Sequence, residues 1–266
     1  MTALVRKTIR RMIPACGVVL LLSALAACAG ADNAPTQTEA AEAGTCRLAP
    51  TPNTLLSLAR CCAESLSSNP SCRAYNPERG YVIVKDNARE KPDAYLIIPV
   101  YPVTGIEDSQ VFLSPVAEFW QYGWEESRRF LRVPYRAVGL AINSRAGRSQ
   151  DQLHIHISCV RRDVADVLER TWRLGSDPAQ PMQLRLRPYN HVYRVVVGSE
   201  LVRYGSPFGV VSRMPGARDA MGQQSIAVIG SRIPEMYYVV DTVAGPGNPG
   251  SAEELLDQTC IGAPSE

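Results

Sequence analysis

The sequence predicts an α+β fold: an antiparallel sheet with packed helices and a β-rich C-terminal elaboration. Three observations carry this expectation. Apolar or alternating runs of strand length recur between turn-forming residues. Segments of helical length and periodicity stand between them in the first part of the chain. No Pro-, Gly- or Ser-rich linker divides the halves, so one unit is expected rather than two.

The elements follow in order. Thr51-Pro52 opens a helix over Asn53–Glu64, with Pro at the first helical position. Ser-Ser-Asn-Pro then makes a turn. Tyr81–Lys85 and Tyr95–Pro99 are apolar runs that read as paired strands. Ser114-Pro115 opens a second helix running to about Arg132. Arg136–Ile142 and Leu153–Val160 read as strands around a polar, Gly-containing loop. Asp163 caps a third helix that ends near Gly175. Beyond Gly175 the expected strands are Val192–Val197, Phe208–Ser212, Ser225–Ile229 and Tyr237–Asp241. Ser251 and Glu254 form a capping box for a last helix.

The 266 residues carry 28 basic and 26 acidic side chains and are 45% hydrophobic. That apolar share excludes a disordered chain. The near-neutral balance gives no electrostatic footprint for nucleic acid, so no nucleic-acid partner is expected. Arg6, Lys7, Arg10 and Arg11 precede an uncharged, mostly apolar stretch, Met12–Ala27, that ends in small residues. This is the grammar of an export signal. Leu25-Ala26-Ala27-Cys28 resembles a lipobox, in which Cys28 is the lipidated residue. The rival is an uncleaved anchor, since Met12–Ala31 is 20 uncharged residues and long enough to span a bilayer. Residues 1–27 are thus a signal peptide or anchor, 28–45 a tether, and 46–266 the working domain, exported and facing the periplasm at a membrane surface. Without residues 1–27 the four basic residues go and no acidic one does, so a net charge of +2 becomes −2.

Six cysteines remain in the working domain. An exported chain favours disulfides, and many pairings are open. The expectation is Cys62–Cys72, Cys159–Cys260 and Cys46–Cys61. No CxxC pair suggests a thiolate metal site.

Leu153-His-Ile-His-Ile-Ser-Cys-Val160 is the most informative stretch. Strand alternation puts His154, His156 and Ser158 on one face, roughly 6–7 Å apart per step, and Leu153, Ile155, Ile157 and Cys159 on the other. Only three histidines exist in the chain, and two are here. Three readings stand: solvated strand histidines, a two-ligand start to a metal site, or nucleophilic catalysis by a neutral imidazole. A metal would need a third ligand such as His191. The preceding loop, Asn143 to Gln152, favours catalysis, because Asn143, Arg145, Arg148 and Gln150 can donate to phosphate oxygens. No cofactor or metal is expected where arginine supplies the charge.

HIHIS resembles the signature of the histidine-triad (HIT) superfamily of nucleotidyl hydrolases and transferases. The resemblance implies a HIT-like sheet, with His156 as nucleophile and His154 and Ser158 as its neighbours. Asn143, thirteen residues before His156, matches the family's side-chain amide. Val84-Lys85-Asp86 and the following Pro92, Leu96 and Pro99 are similar to the family's first strand pair, where the acidic residue, here Asp86, holds ribose hydroxyls. Two departures stand out: Ser158 replaces the third histidine, and Ala94 sits where the family often has another.

Longer segments resemble the bacterial CDP-diacylglycerol pyrophosphatase family. These are Gly80–Asp86, Ala141–Cys159, Ser206–Phe208, Ala217–Gly222 and Ser251–Glu254 with Cys260. That resemblance implies hydrolysis of CDP-diacylglycerol to CMP and phosphatidate through a CMP–histidine intermediate. Lys85, Asp86, Arg145, Arg148 and Gln150 would bind substrate, with His191 as a further candidate. The acyl tails would stay in the membrane; Trp120, Trp124 and Phe130 would line a tunnel if there were one. The alternatives are a hydrolase or transferase for other nucleotide anhydrides, and a non-catalytic exported lipoprotein that binds nucleotide or lipid.

Overall fold

Fourteen helices and strands follow one another: α1 (Thr54–Glu64), β1 (Cys72–Asn76), β2 (Tyr81–Lys85), β3 (Tyr95–Pro99), α2 (Phe119–Phe130), β4 (Val138–Ile142), β5 (Ile155–Val160), α3 (Arg162–Arg170), β6 (Met182–Leu186), β7 (His191–Gly198), α4 (Pro207–Ser212), β8 (Gln224–Gly230), β9 (Tyr237–Val243) and β10 (Leu256–Asp257). The computed structural model describes residues 54–171, 177–202 and 205–265. The leader, Cys28, the tether, Cys46 and Gly175 lie outside the described residues.

The strands form one ten-stranded sheet in the order β1-β2-β3-β5-β4-β8-β9-β7-β6. All its pairs are antiparallel, and β10 pairs with the end of β5 that β3 does not reach. This is the α+β architecture expected, with β6 to β10 as the C-terminal part. The central strands β4, β5 and β8 are buried along their whole length.

One face carries the largest core. Phe119, Trp120 and Trp124 of α2 pack there with Ile83, Ile97, Leu140, Ile157, Val228 and Val239. The other face is covered in two separate places. Leu58, Ala59 and Cys62 of α1 pack on Val82, Val84, Leu96 and Ile98. Val164, Ala165 and Leu168 of α3, with Ala252 and Leu255, belong to a second patch that includes Val195, Ala227 and Val240. The strip between these patches holds the face of β5 that bears the histidines.

Several expected elements differ. Phe208–Ser212 is the helix α4, not a strand. The Ser206 hydroxyl accepts from the Gly209 N–H at 3.3 Å and Pro207 sits in the first turn. A short apolar run is ambiguous by periodicity, and the cap decides it. Ala252–Leu255 is a single 3-10 turn, and Ser251 makes no capping bond. The third helix starts at Arg162, with Asp163 in its first turn instead of at the cap. The second helix opens as a 3-10 turn over Val116–Glu118. The edge strands β1 and β6 were not expected from the sequence. Trp120, Trp124 and Phe130 line no tunnel: they pack against Phe208, against Tyr135 and Tyr237, and against Tyr95.

Cys62–Cys72 and Cys159–Cys260 are bonded as expected. The Cys46–Cys61 pairing falls partly outside the described residues. Cys159–Cys260 closes a separation of 101 residues, which in a chain-entropy account stabilises by about 4–5 kcal/mol.

Candidate active site

Strand β5 positions the site. Leu140 and Ile157 are paired, as are Ala141 and His156, so β4 sets the facing of each β5 side chain. His156 is also opposite Leu96 of β3. The flanking Leu153, Ile155 and Ile157 belong to the α2 core. Alternation therefore turns His154 and His156 to the opposite face. Both are nearly covered, at 9% and 8% exposure, so these are not solvated surface histidines.

Their rings lie 5.0 Å apart in an edge arrangement. His154 Nδ1 is 2.7 Å from the Gln152 carbonyl, which can only accept. Nδ1 thus carries the proton and Nε2 the lone pair. Gln152 is itself held, donating to the Pro99 and Tyr101 carbonyls. Burial, with the second imidazole beside it, lowers the His154 pKa to about 4. Burial also lowers that of His156. Both rings are therefore neutral near pH 7. Neither ring nitrogen of His156 makes a hydrogen bond among the described residues.

A carboxylate stands beside the second ring. Glu253 Oε2 is 3.4 Å from His156 Nε2. Lys91 Nζ donates to Glu253 Oε1 at 2.6 Å, and Gln258 donates to the same oxygen. The Asn143 amide spans the gap: its Nδ2 is 3.4 Å from Glu253 Oε2, and its Oδ1 accepts from the Glu253 N–H at 3.2 Å. Ser251 Oγ donates to that same Oδ1 at 3.2 Å instead of capping a helix. Burial opposes ionisation of Glu253, but His156 in its protonated form, Lys91 and Asn143 overcome it and hold its carboxyl well below the usual range. The loop after β4 reaches this point through close backbone packing. A Cβ on Gly147 would lie 2.5 Å from the Gly250 carbonyl.

These groups line a cleft of about 370 Å³. Leu55 and Leu58 of α1 with Val84 and Leu96 make its apolar wall, and Lys85, Asp86, Asn143, Arg148 and Gln150 also line it. Their states differ. Asp86 Oδ1 accepts from the Ala88 N–H at 3.0 Å, and its Oδ2 is 3.6 Å from Lys91 Nζ. The Lys85 ammonium donates to the carbonyls of Asp86, Lys91 and Ala94, so it braces the loop between β2 and β3. Arg148 is bound bidentately by Glu107 at 2.6 and 2.7 Å and also meets Asp151. Its charge is already matched at a side chain only 4% exposed. Gln150 Oε1 is buried without a hydrogen-bond partner among the described residues.

Three candidates stand elsewhere. The Ser158 hydroxyl faces the Asp93 and Asp257 carbonyls at 2.8 and 3.1 Å, between β3 and β10, and lines no part of the cleft. Arg145 turns to another pocket beside Arg218, Phe112 and Met221. His191 is held by Glu254 Oε1 at 2.8 Å and the Gly247 carbonyl at 3.2 Å, outside the cleft. Lys91 and Glu253 were missed as site residues. The only sequence signal for Glu253 was its place in the Ser251–Glu254 segment. Among the described residues, no cluster of three or more His, Cys, Asp or Glu side chains is arranged to hold a metal ion.

The family model for CDP-diacylglycerol pyrophosphatase matches residues 51–263, well over half of the chain. The chain belongs to the CDP-diacylglycerol pyrophosphatase family. It is a hydrolase of a phosphorus anhydride, and family membership supports CDP-diacylglycerol as its substrate. Among solved structures it is similar to Hnt3 in complex with DNA and guanosine, at 18% identity and a TM-score of 0.28. That match covers 40% of this chain and 60% of that one. It is also similar to a DUF4931 family protein from Bacillus cereus, at 14% identity and a TM-score of 0.38, covering 66% of this chain and 87% of that one.

Proposed function

We propose that the chain splits CDP-diacylglycerol in two displacements at His156. The observation that carries this is a buried, neutral imidazole with both ring nitrogens uncommitted, at the wall of a cleft. Protonated, it could not attack; fully hydrogen-bonded, it would have to give up a partner first.

In the first step a ring nitrogen of His156 attacks the phosphorus of the CMP half. The N–P bond forms, the P–O bond to phosphatidate breaks, and phosphatidate leaves with the electron pair. In the second step water attacks the same phosphorus. The N–P bond breaks, the imidazole nitrogen takes the water proton as it departs, and CMP is released. His154 Nδ1 is tied to Gln152, so that ring can orient the phosphate or its neighbour but not rotate freely. Asn143 and Lys91 donate to the phosphate oxygens, and Glu253 steadies the cationic ring of the intermediate. Positioned charge of this kind does most of the work in phosphoryl transfer. Asp86 accepts ribose hydroxyls, and the Leu55, Leu58, Val84 and Leu96 wall takes the flat base. Lys85 and Arg148 act on substrate through the loops they brace; Gln150 offers its free carbonyl from the cleft edge.

The test is direct. Rapidly quenched protein with CDP-diacylglycerol labelled in the cytidine phosphate should carry label on His156. Turnover without label, or turnover by His156→Ala, would overturn the two-step route. Equal CMP release from soluble CDP-alcohols would instead favour a general nucleotide-anhydride hydrolase.

The domain acts at a membrane surface, exported by its leader and held through lipid on Cys28 or through an uncleaved anchor. The disulfides support an oxidising compartment. No helix of the described residues is long and apolar enough to cross a membrane. Mass analysis of the mature N-terminus separates the two: a lipid-modified Cys28 or an intact leader.

A further inference from the structure

A second concavity adjoins the cleft. It is a groove of about 630 Å³ whose lining includes Lys91, Arg161, Tyr189, Ser251, Glu253 and Gln258. Lys91 and Glu253 line both spaces, so their ion pair is the partition between them. His156 stands at that partition, with Nε2 3.4 Å from Glu253.

The two spaces differ in chemistry. The cleft has a continuous apolar wall with Asp86 at its edge, which suits a base and ribose. The groove's apolar residues, Pro188, Pro249 and Leu256, are set among the charged Lys91, Arg161, Glu253 and Glu254. The groove offers Arg161, whose guanidinium is one-third exposed and, among the described residues, is bound by Asp163 alone, through Nε at 3.2 Å and Nη2 at 3.0 Å. The same planar fork that meets this carboxylate suits a phosphate, and solvent screens the pair at this exposure. Tyr189 stands at the groove, 67% exposed. An exposed aromatic with a polar tip suits the boundary between a polar headgroup and acyl chains.

The nucleophile forces a division of the substrate. Attack at one phosphorus puts the nucleotide on one side of His156 and the departing phosphate on the other. We infer that this groove is the subsite for the departing half, the phosphate and glycerol of a lipid phosphomonoester. Arg161 and Lys91 take the phosphate, and Tyr189 meets the glycerol ester region. The inference rests on the proposed attack at His156, and it adds the residues that distinguish a lipid leaving group from a small alcohol phosphate.

Calorimetric titration reads the groove without turnover. The probes are short-chain dihexanoyl phosphatidate and CMP, titrated separately into the wild-type protein and into Arg161→Gln and Tyr189→Ser. Each variant should weaken phosphatidate binding about tenfold, the size expected for one charge-assisted or aromatic contact, and leave CMP binding within about twofold. Unchanged CMP binding also certifies the fold. Weakened CMP binding with phosphatidate unchanged would place the nucleotide in the groove and overturn the inference. Unchanged binding of both, or equal weakening of both, would overturn it too. Should Arg161→Gln fail to fold, Tyr189→Ser at an exposed position decides alone. A wild-type protein that binds phosphatidate through Arg161 but releases no CMP from CDP-diacylglycerol would sink the proposed reaction and leave the groove standing.

Discussion

His156 on β5 and His191 on β7 are both partly enclosed imidazoles on strands of the same sheet. His191 has each nitrogen engaged, one by Glu254 and one by the Gly247 carbonyl. His156 has neither nitrogen engaged, although a carboxylate lies close by. Burial without partners is costly for a polar group. On the proposed reading the first ring is the reactive one and the second is structural. The carboxylates differ in the same sense. Glu254 also accepts from the Tyr193 hydroxyl at 2.6 Å and is spent on structure. Glu253 faces His156 and is held by the Lys91 ammonium and by the side-chain amides of Gln258 and Asn143.

The sharpest way to break this contrast is His156→Ala. Turnover of CDP-diacylglycerol should fall by at least about 10³-fold with the thermal midpoint little changed. A fall of tenfold or less would put His156 in the structural class.

Glu253→Gln comes next. It keeps the shape and removes the charge. We expect about a 10–100-fold loss in kcat, since a stabilising charge beside the reacting ring goes. Steady-state kinetics check this; Glu254→Gln in the same assay should cost far less.

The pH profile sharpens the point further. The neutral form of a buried histidine persists below its ordinary value of 6.5. The acid limb of kcat/KM should therefore lie below pH 6.5, falling about tenfold per unit beneath it. Stability follows the same sign. His154 is lowered to about 4 when folded, so the unfolded chain binds the proton first. Its contribution is complete above pH 6.5 and drains away as pH falls from there toward 4. Denaturation by urea at pH 7, 5.5 and 4.5 would show it, and a flat response would contradict it.

His191→Ala is the smallest expected effect. It removes the ring's contacts with Glu254 and the Gly247 carbonyl and should cost about 1–2 kcal/mol of stability, seen as a drop of several degrees in Tm. Its loss of kcat should stay at least 100-fold smaller than that of His156→Ala.

The facing of His154 and His156 was legible because strand alternation is local and the β5 sequence is cleanly apolar on its other face. Asn143, Asp86 and Gln150 were legible through resemblance, and the structure gathers them in the cleft. Arg148 shows the limit of such reading. A loop arginine looks available for phosphate until Glu107, 41 residues away, is seen to grip it. Ser158 looked like a third member of the row until β10 arrived beside it and took its hydroxyl. Lys91 and Glu253 were hidden for the same reason. They are 162 residues apart, and no local periodicity announces an ion pair between them. The Phe208–Ser212 helix was misread because its apolar run is too short to show a period, while its Ser-Pro start carried the signal.

The Cys159–Cys260 bond has a consequence for the carboxylate arm. Its first half-cystine is on the strand that carries His156, and its second follows shortly after the segment bearing Glu253 and Gln258. Oxidation therefore clamps the carboxylate arm against the histidines. The bond thus adds a covalent tie to an arm already held by the buried Ala252 and Leu255 and by the pairing of β10 with β5.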